Sequence, residues 1–280
     1  MDIATIIGLL VGFGAIFFAG WVGGTDPSIV FGRYEAIVLI IFGTLGATLT
    51  SFPMRVFIRG FFGGFRTAFV EVDYHERDVI STLVSFAEKA RREGLLALEN
   101  EAAALDDEFM RKGIQLVIDG RDTEIIRKVL ETEVSNTQEK GGKAEAVFTC
   151  LGGYSPTLGI IGTVLGLIGM LKGLSSMGSS TNVAGTIGVA TAQAFVATFF
   201  GIMFANLLWL PIATKIKERN GQLLLMREIM IEGILAIQAG DNPRLLEEKL
   251  LAFLDPRDRE SEIAEGGAVA AEPGFSGSGA

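Results

Sequence analysis

Four stretches of this chain, Ile3–Val22, Ala36–Phe52, Val147–Leu171 and Val183–Leu210, contain no Asp, Glu, Lys, Arg or His. A helix rises 1.5 Å per residue and crosses a bilayer in roughly 17–25 apolar residues, so each stretch is long enough to span. Lipid offers no partner for exposed backbone N–H and C=O groups, which makes helices the expected form. The fold class that follows is all-α: a polytopic membrane protein with four transmembrane helices. Proteins that move ions normally carry an ionisable group inside the membrane. These stretches have none, so if the chain takes part in conduction, the titrating group comes from another polypeptide.

The charge is segregated. Of 24 Lys+Arg and 33 Asp+Glu, residues 53–146 hold 14 and 18, and residues 212–280 hold 8 and 12. The acidic balance argues against a nucleic-acid partner, which would need a basic surface. A single cysteine, Cys150, rules out an intrachain disulfide, and a single histidine, His75, cannot build a metal site. Neither a structural metal nor a cofactor is expected. The sequence has no Gly-rich phosphate loop, no His or Cys dyad and no carboxylate pair at membrane depth, so an enzyme is the least expected class. The first stretch lacks a basic leader and is followed by Gly23-Gly24-Thr25-Asp26-Pro27, which reads as a retained helix rather than a signal peptide.

Positive residues near the helix ends set the expected orientation. Arg55, Arg59, Arg66, Arg127, Lys128, Lys140 and Lys143 lie between the second and third stretches, and Lys215, Lys217 and Arg219 follow the fourth. The other two connections offer only Arg33 and Lys172. Positive loops stay inside, so the 53–146 block, the tail and the N-terminus are expected in the cytoplasm.

The expected organisation is a first transmembrane hairpin over 1–52, a cytoplasmic helical domain over 53–146, a second hairpin over 147–211, cytoplasmic helices over 212–254 and a disordered tail over 255–280. Ile80, Leu83, Val84 and Ala87, and later Ile125, Ile126, Val129 and Leu130, recur at helical spacing. Following Pro211, Ile212–Leu254 shows another amphipathic pattern, which could extend the fourth helix and then turn at Gly240-Asp241-Asn242-Pro243. The tail is rich in Gly, Ala and Ser and cannot bury a core.

The third stretch carries Gly159, Gly162, Gly166 and Gly169 at alternating steps of three and four, leaving one face without bulk. Thr191, Ala194, Thr198, Gly201 and Ala205 give the fourth a similar face. Small faces let helices pack closely where lipid provides no hydrophobic drive. Thr163 and Thr198 lie at depths of roughly 24 and 20 Å from the cytoplasmic ends of their helices. Each hydroxyl can satisfy itself on the carbonyl four residues back. Alternatively, the two supply oxygens to a cation or water beside a pore, since hard cations take such ligands. Thr163, Thr198 and Thr191 are therefore the candidate ion-path residues. Pro156, inside the third helix, is expected to make a kink or hinge, and Pro211 to close the fourth.

Read together, these residues resemble the A subunit of the bacterial flagellar stator, the MotA/PomA family, over roughly residues 1–255. Ser155-Pro156-Thr157-Leu158-Gly159-Ile160-Ile161-Gly162-Thr163-Val164-Leu165-Gly166-Leu167 is similar to that family's third-helix signature, and Asn206-Leu207-Leu208-Trp209-Leu210-Pro211 to the end of its fourth. The segment Ala90–Glu99, with Arg91, Arg92, Glu93 and Glu99, resembles the rotor-facing stretch. On an unbroken helix Arg91 and Glu99 would stand about 12 Å apart and could not pair with each other. The resemblance implies a contact between these charges and the rotor switch protein FliG. It also implies a pentamer around two copies of a single-span B subunit, of the MotB/PomB type, that brings a membrane aspartate and a peptidoglycan-binding domain. Inward flow of Na⁺ or H⁺ would then turn the ring, and a threonine at the position of Thr163 implies Na⁺. Two other readings stand beside it: an ExbB/TolQ-like channel subunit, against which the two helices before residue 53 weigh, and a membrane scaffold that conducts nothing.

Overall fold

The first two charge-free stretches form helices of nearly the same bounds, whereas the third and fourth lie within longer helical runs that begin at Thr123 and end at Ala239. The computed structural model describes residues 3–24, 30, 34–70, 76–175 and 183–254. His75, Thr25-Asp26-Pro27, Arg33 and the expected disordered tail lie outside the described residues. The elements are α1 (Ile3–Val22), α2 (Tyr34–Ser51), α3 (Met54–Phe69), α4 (Glu76–Glu93), a 3₁₀ turn (Leu95–Leu98), α5 (Glu99–Ala103), α6 (Glu108–Ile118), α7 (Thr123–Ser175), α8 (Val183–Phe204), a π turn (Ala205–Trp209), α9 (Leu210–Ala239) and α10 (Pro243–Leu251). The fold is all-α, and among the described residues four helical runs, Ile3–Val22, Tyr34–Ser51, Thr123–Ser175 and Val183–Ala239, are long and apolar enough to cross a membrane.

The chain divides into two units, one of Met1–Val72 with Gln138–Gly221 and one of Asp73–Thr137 with Gln222–Ala280. This differs from the expected block over 53–146. Its first helix, α3, belongs to the first unit because Phe57, Phe61 and Phe65 recur every fourth residue and find aromatic partners there. Phe61 stacks on Phe148 with ring centroids 5.8 Å apart, Phe65 meets Phe148 edge-on at 5.3 Å, and Trp209 joins both. Gly64 makes the contact possible: a Cβ there would lie 2.3 Å from Cε2 of Phe148. Elsewhere in this unit α2 buries Ile40, Thr44 and Thr48 on one face, and Ile40 packs with Val196, Phe200 and Met203 of α8. No residue of α1 is buried within the chain.

Pro211 does not close the fourth helix. The helical path runs on to Ala239, and Pro211 is the second residue of α9, just past the π turn. A proline has no N–H to give to the carbonyl four residues back, and its ring would collide with that carbonyl in a regular α-helix. Widening the preceding turn, so that the N–H of Leu210 reaches the carbonyl of Ala205, shifts the spacing and lets the helix continue.

The second unit is a helical bundle with an aliphatic core. Ile80, Leu83 and Phe86 of α4, Ile114 and Val117 of α6, Ile126 and Leu130 of α7, and Ile229 and Ile234 of α9 are all buried in one cluster with Leu246 and Leu250 of α10. Residues 212–254 are thus not a separate set of helices; from Gln222 they complete this core. α9 ends at Gly240, whose φ of 73° suits glycine, and Asn242 caps α10 by accepting from the N–H of Arg244 at 3.1 Å.

A charged cluster ties three of these helices. Glu232 of α9 accepts from Nζ of Lys249 on α10 at 2.6 Å and from Arg127 of α7 at 3.4 Å. The Lys249 hydrogen bond, aided by the charges of Lys249 and Arg127, holds the Glu232 carboxyl below its ordinary value of 4.5 in spite of partial burial. A lowered carboxyl contributes stability that is complete above the unfolded value and is lost as pH falls through the folded one. Replacing Glu232 by Gln should therefore weaken the second unit near neutral pH, and the difference should vanish as pH falls through the lowered folded value of Glu232, as read from urea midpoints of the two proteins.

Candidate functional site

The faces of α7 and α8 meet at backbone distance. Gly201 sits so close to α7 that a Cβ on it would be 2.7 Å from the carbonyl oxygen of Ser155 and 3.0 Å from Cα of Gly159. Gly159 in turn would press a Cβ to 3.0 Å from Cα of Thr198 and from the carbonyl oxygen of Ala197. Gly162 faces Ala197, at 2.6 Å from its Cβ, and Gly166 faces Ala194, at 2.9 Å. Four of the five candidate packing glycines therefore meet the opposite helix. Gly169 does not: a Cβ there would touch nothing within 4 Å.

This approach brings the candidate threonines together. The hydroxyls of Thr163 and Thr198 form a hydrogen bond with one another. Thr163 Oγ1 also lies 3.1 Å from the carbonyl oxygen of Gly159, four residues back, and 3.2 Å from that of Ala194 across the interface. Thr198 Oγ1 is 3.3 Å from the same Gly159 oxygen. Both side chains are half-buried. Two hydroxyls and two carbonyls thus converge on one spot between the helices, and each hydroxyl has one proton to donate but two lone pairs to offer. The cluster is rich in acceptors and holds no charge, which suits a water molecule or a hard cation whose counter-charge comes from elsewhere. Thr191 is not part of it. Its hydroxyl bonds to the sulfur of Met170 at 3.4 Å, about two turns along α8 from Thr198.

Ser155 is a site residue that spacing did not single out. It is fully buried and donates to the carbonyl oxygen of Gly201 at 2.9 Å, locking α7 to α8 about two turns from Thr163 along α7 and one turn from Thr198 along α8. Its neighbour in sequence carries the helix-breaking signal, and an isolated serine before a proline gives no pattern to read. α7 nonetheless continues through Pro156 without interruption.

The charged segment resolves differently from an unbroken helix. α4 ends at Glu93, Gly94 takes a φ of 87°, and the chain passes through the 3₁₀ turn into α5, so Arg91 and Glu99 belong to different helices. A left-handed glycine stops the helix where no other residue would sit without strain. Arg91, Glu93 and Glu99 are exposed, and Arg92 reaches Glu88 at 3.9 Å. Lys89 bridges to Glu101 at 2.5 Å, fastening α4 to α5 behind these charges. That hydrogen bond raises the Lys89 ammonium above its ordinary 10.5.

Among the described residues no group of three His, Cys, Asp or Glu is placed to hold a metal ion. Residues 101–229 match the model of the MotA/TolQ/ExbB proton channel family. Motility protein A of Treponema phagedenis is 37% identical over 265 residues, covering 95% of this chain and 98% of that one. Among solved structures, MotAB of C. jejuni superposes with a TM-score of 0.84 at 28% identity, over 92% of this chain and 98% of that chain. The flagellar MotAB stator complex from Bacillus subtilis gives 0.83 at 35% identity, over 91% and 97%.

Adding a methyl group at Gly201 should force α7 and α8 apart, because the atoms it meets are backbone; overpacking of this kind costs about 1–3 kcal/mol. Gly201→Ala is expected to lower the thermal midpoint of the solubilised chain, and Gly169→Ala to leave it unchanged.

Proposed function

The chain belongs to the motility protein A group of the MotA/TolQ/ExbB proton channel family, and from that membership we propose that it is the A-type subunit of a flagellar stator, converting inward ion flow into torque. It is a membrane protein of motility, not an enzyme. Its place is the inner membrane, with α2 and α9 ending on the cytoplasmic side. The observation that carries the mechanism is the Thr163–Thr198 oxygen cluster, seated between two helices whose membrane stretches, Val147–Leu171 and Val183–Leu210, contain no Asp, Glu, Lys, Arg or His.

In this reading several copies, five by the family resemblance, surround a dimer of a single-span B-type subunit. That subunit supplies a membrane carboxylate facing the threonine pair. Partly dehydrated Na⁺ can exchange water for the hydroxyl and carbonyl oxygens as it reaches the carboxylate, whereas H⁺ needs only the carboxylate and a water chain. The presence of Thr163 favours Na⁺. Neutralising the carboxylate removes a charge from a low-dielectric setting, which shifts the preference between two packings of the helices around it. The close α7–α8 contact makes the pair move as one body. Arg91 and Glu99, exposed on either side of the Gly94 turn, then meet opposite charges on the rotor protein FliG.

Two measurements test the ion and the contact. In a strain with this as its sole A subunit, swimming speed at fixed pH should rise with external Na⁺, and Thr163→Ala should reduce that dependence severalfold. Indifference to Na⁺ together with collapse under a protonophore would assign the flow to protons. Reversing Arg91 or Glu99 should impair motility while membrane levels of the protein stay normal; unaltered swimming in both reversals would remove the rotor contact.

A further inference from the structure

α3 presents two parallel ridges that nothing among the described residues covers. At about 100° per residue, Met54, Ile58 and Phe62 share a sector about 80° wide, and Arg55, Arg59 and Arg66 occupy the adjoining 40° or so. The apolar ridge is open, with Met54 58%, Ile58 46% and Phe62 69% exposed. None of the three guanidinium groups has an ion pair or hydrogen bond among the described residues, and α3 contains no acidic side chain. The opposite face is fixed: Gly60, Gly64 and Ala68 are buried against α7 and α9, under the aromatic cluster.

Two further facts place these ridges at a bilayer surface. α3 begins only two residues, Phe52 and Pro53, after the end of the membrane helix α2. The described part of the first unit carries nine Lys and Arg against four Glu and no Asp, although the whole chain is acidic. A helix with an apolar ridge beside a basic one, held at the membrane edge, sits in the interface with its apolar side chains in the acyl boundary and its cations at phosphate depth. Guanidinium groups match phosphate oxygens in pairs, which an ammonium cannot do.

We propose that α3 is an interfacial helix that binds anionic phospholipid, with Met54, Ile58 and Phe62 entering the leaflet and Arg55, Arg59 and Arg66 holding lipid phosphates. The anchor fixes the depth of the α2 end and of the aromatic cluster beneath α3. A second copy of the chain is a poorer occupant, since it would bring the same basic ridge and few carboxylates. The inference needs only that the chain crosses a bilayer, so it stands or falls separately from the motor reading.

The test uses the full chain in nanodiscs of phosphatidylcholine alone or mixed with phosphatidylglycerol. Phosphatidylglycerol should raise the thermal midpoint of the wild-type chain, and the rise should shrink as salt screens the phosphates. Replacing Arg55, Arg59 and Arg66 together by Gln should abolish the rise, and replacing them by Lys should retain part of it. Each arginine removed should weaken retention of phosphatidylglycerol in mild detergent by about fivefold. If the triple Gln protein fails to insert, the salt titration of the wild-type chain gives the same answer without a substitution. In a Cys150→Ser background, a fluorophore on Phe62→Cys should be quenched by lipids spin-labelled high on the acyl chain. A midpoint equal in both lipids, or a rise insensitive to salt, would overturn the proposal. So would disulfide formation between Phe62→Cys copies in place of quenching, which would identify a second chain as the occupant.

Discussion

The first unit depends on the absence of side chains between α7 and α8. Within a membrane, apolar surfaces gain nothing by meeting each other rather than lipid, so helices stay together through close fit and hydrogen bonds. Gly159 against Gly201 provides the fit, at a separation that leaves no room for a Cβ on either. The hydrogen bond from Ser155 to the Gly201 carbonyl fixes the register. The threonine cluster exists because of that register. One more methyl group at the crossing would move the Thr198 hydroxyl away from the Gly159 carbonyl, which it reaches at 3.3 Å.

The two units are held by different physics. The first uses glycines and stacked rings, with Phe61, Phe65, Phe148 and Trp209 in mutual contact. The second buries Ile, Leu and Met away from water, where the hydrophobic effect operates at full strength. Charged pairs such as Arg227 with Asp107, at 2.7 Å, ring that core. Asp107 also caps α6 by accepting from the N–H of Met110 at 2.9 Å, so one carboxylate starts a helix and tethers another.

Much of this was legible in the sequence. The four charge-free runs mark the membrane helices, since lipid tolerates no ionised side chain there, and α1 matches its run residue for residue. The alternating glycine steps mark the α7 face. Four features were not legible. Gly169 continues the glycine periodicity yet faces no partner, because periodicity defines a stripe and not how far the neighbouring helix follows it. Pro211 reads as a terminator, but a single widened turn absorbs it, and no local pattern announces a π turn. The split of residues 53–146 between two units depends on which partner the aromatic face of α3 finds, and that is a tertiary fact. Arg91 and Glu99 share a charged run whose continuity as one helix fails at a single glycine.

The hydroxyl pair has one more property. Thr163 and Thr198 face each other symmetrically enough that either can donate. Turning both hydroxyls about their C–O bonds reverses the direction of the link while every heavy atom stays in place. In one sense of the link a lone pair of Thr163 is exposed, in the other a lone pair of Thr198. A passing charge can therefore be answered by proton reorientation alone, on the timescale of a bond rotation and without any cost of reshaping the helices. The groove between these two rods thus holds a small polarisable element.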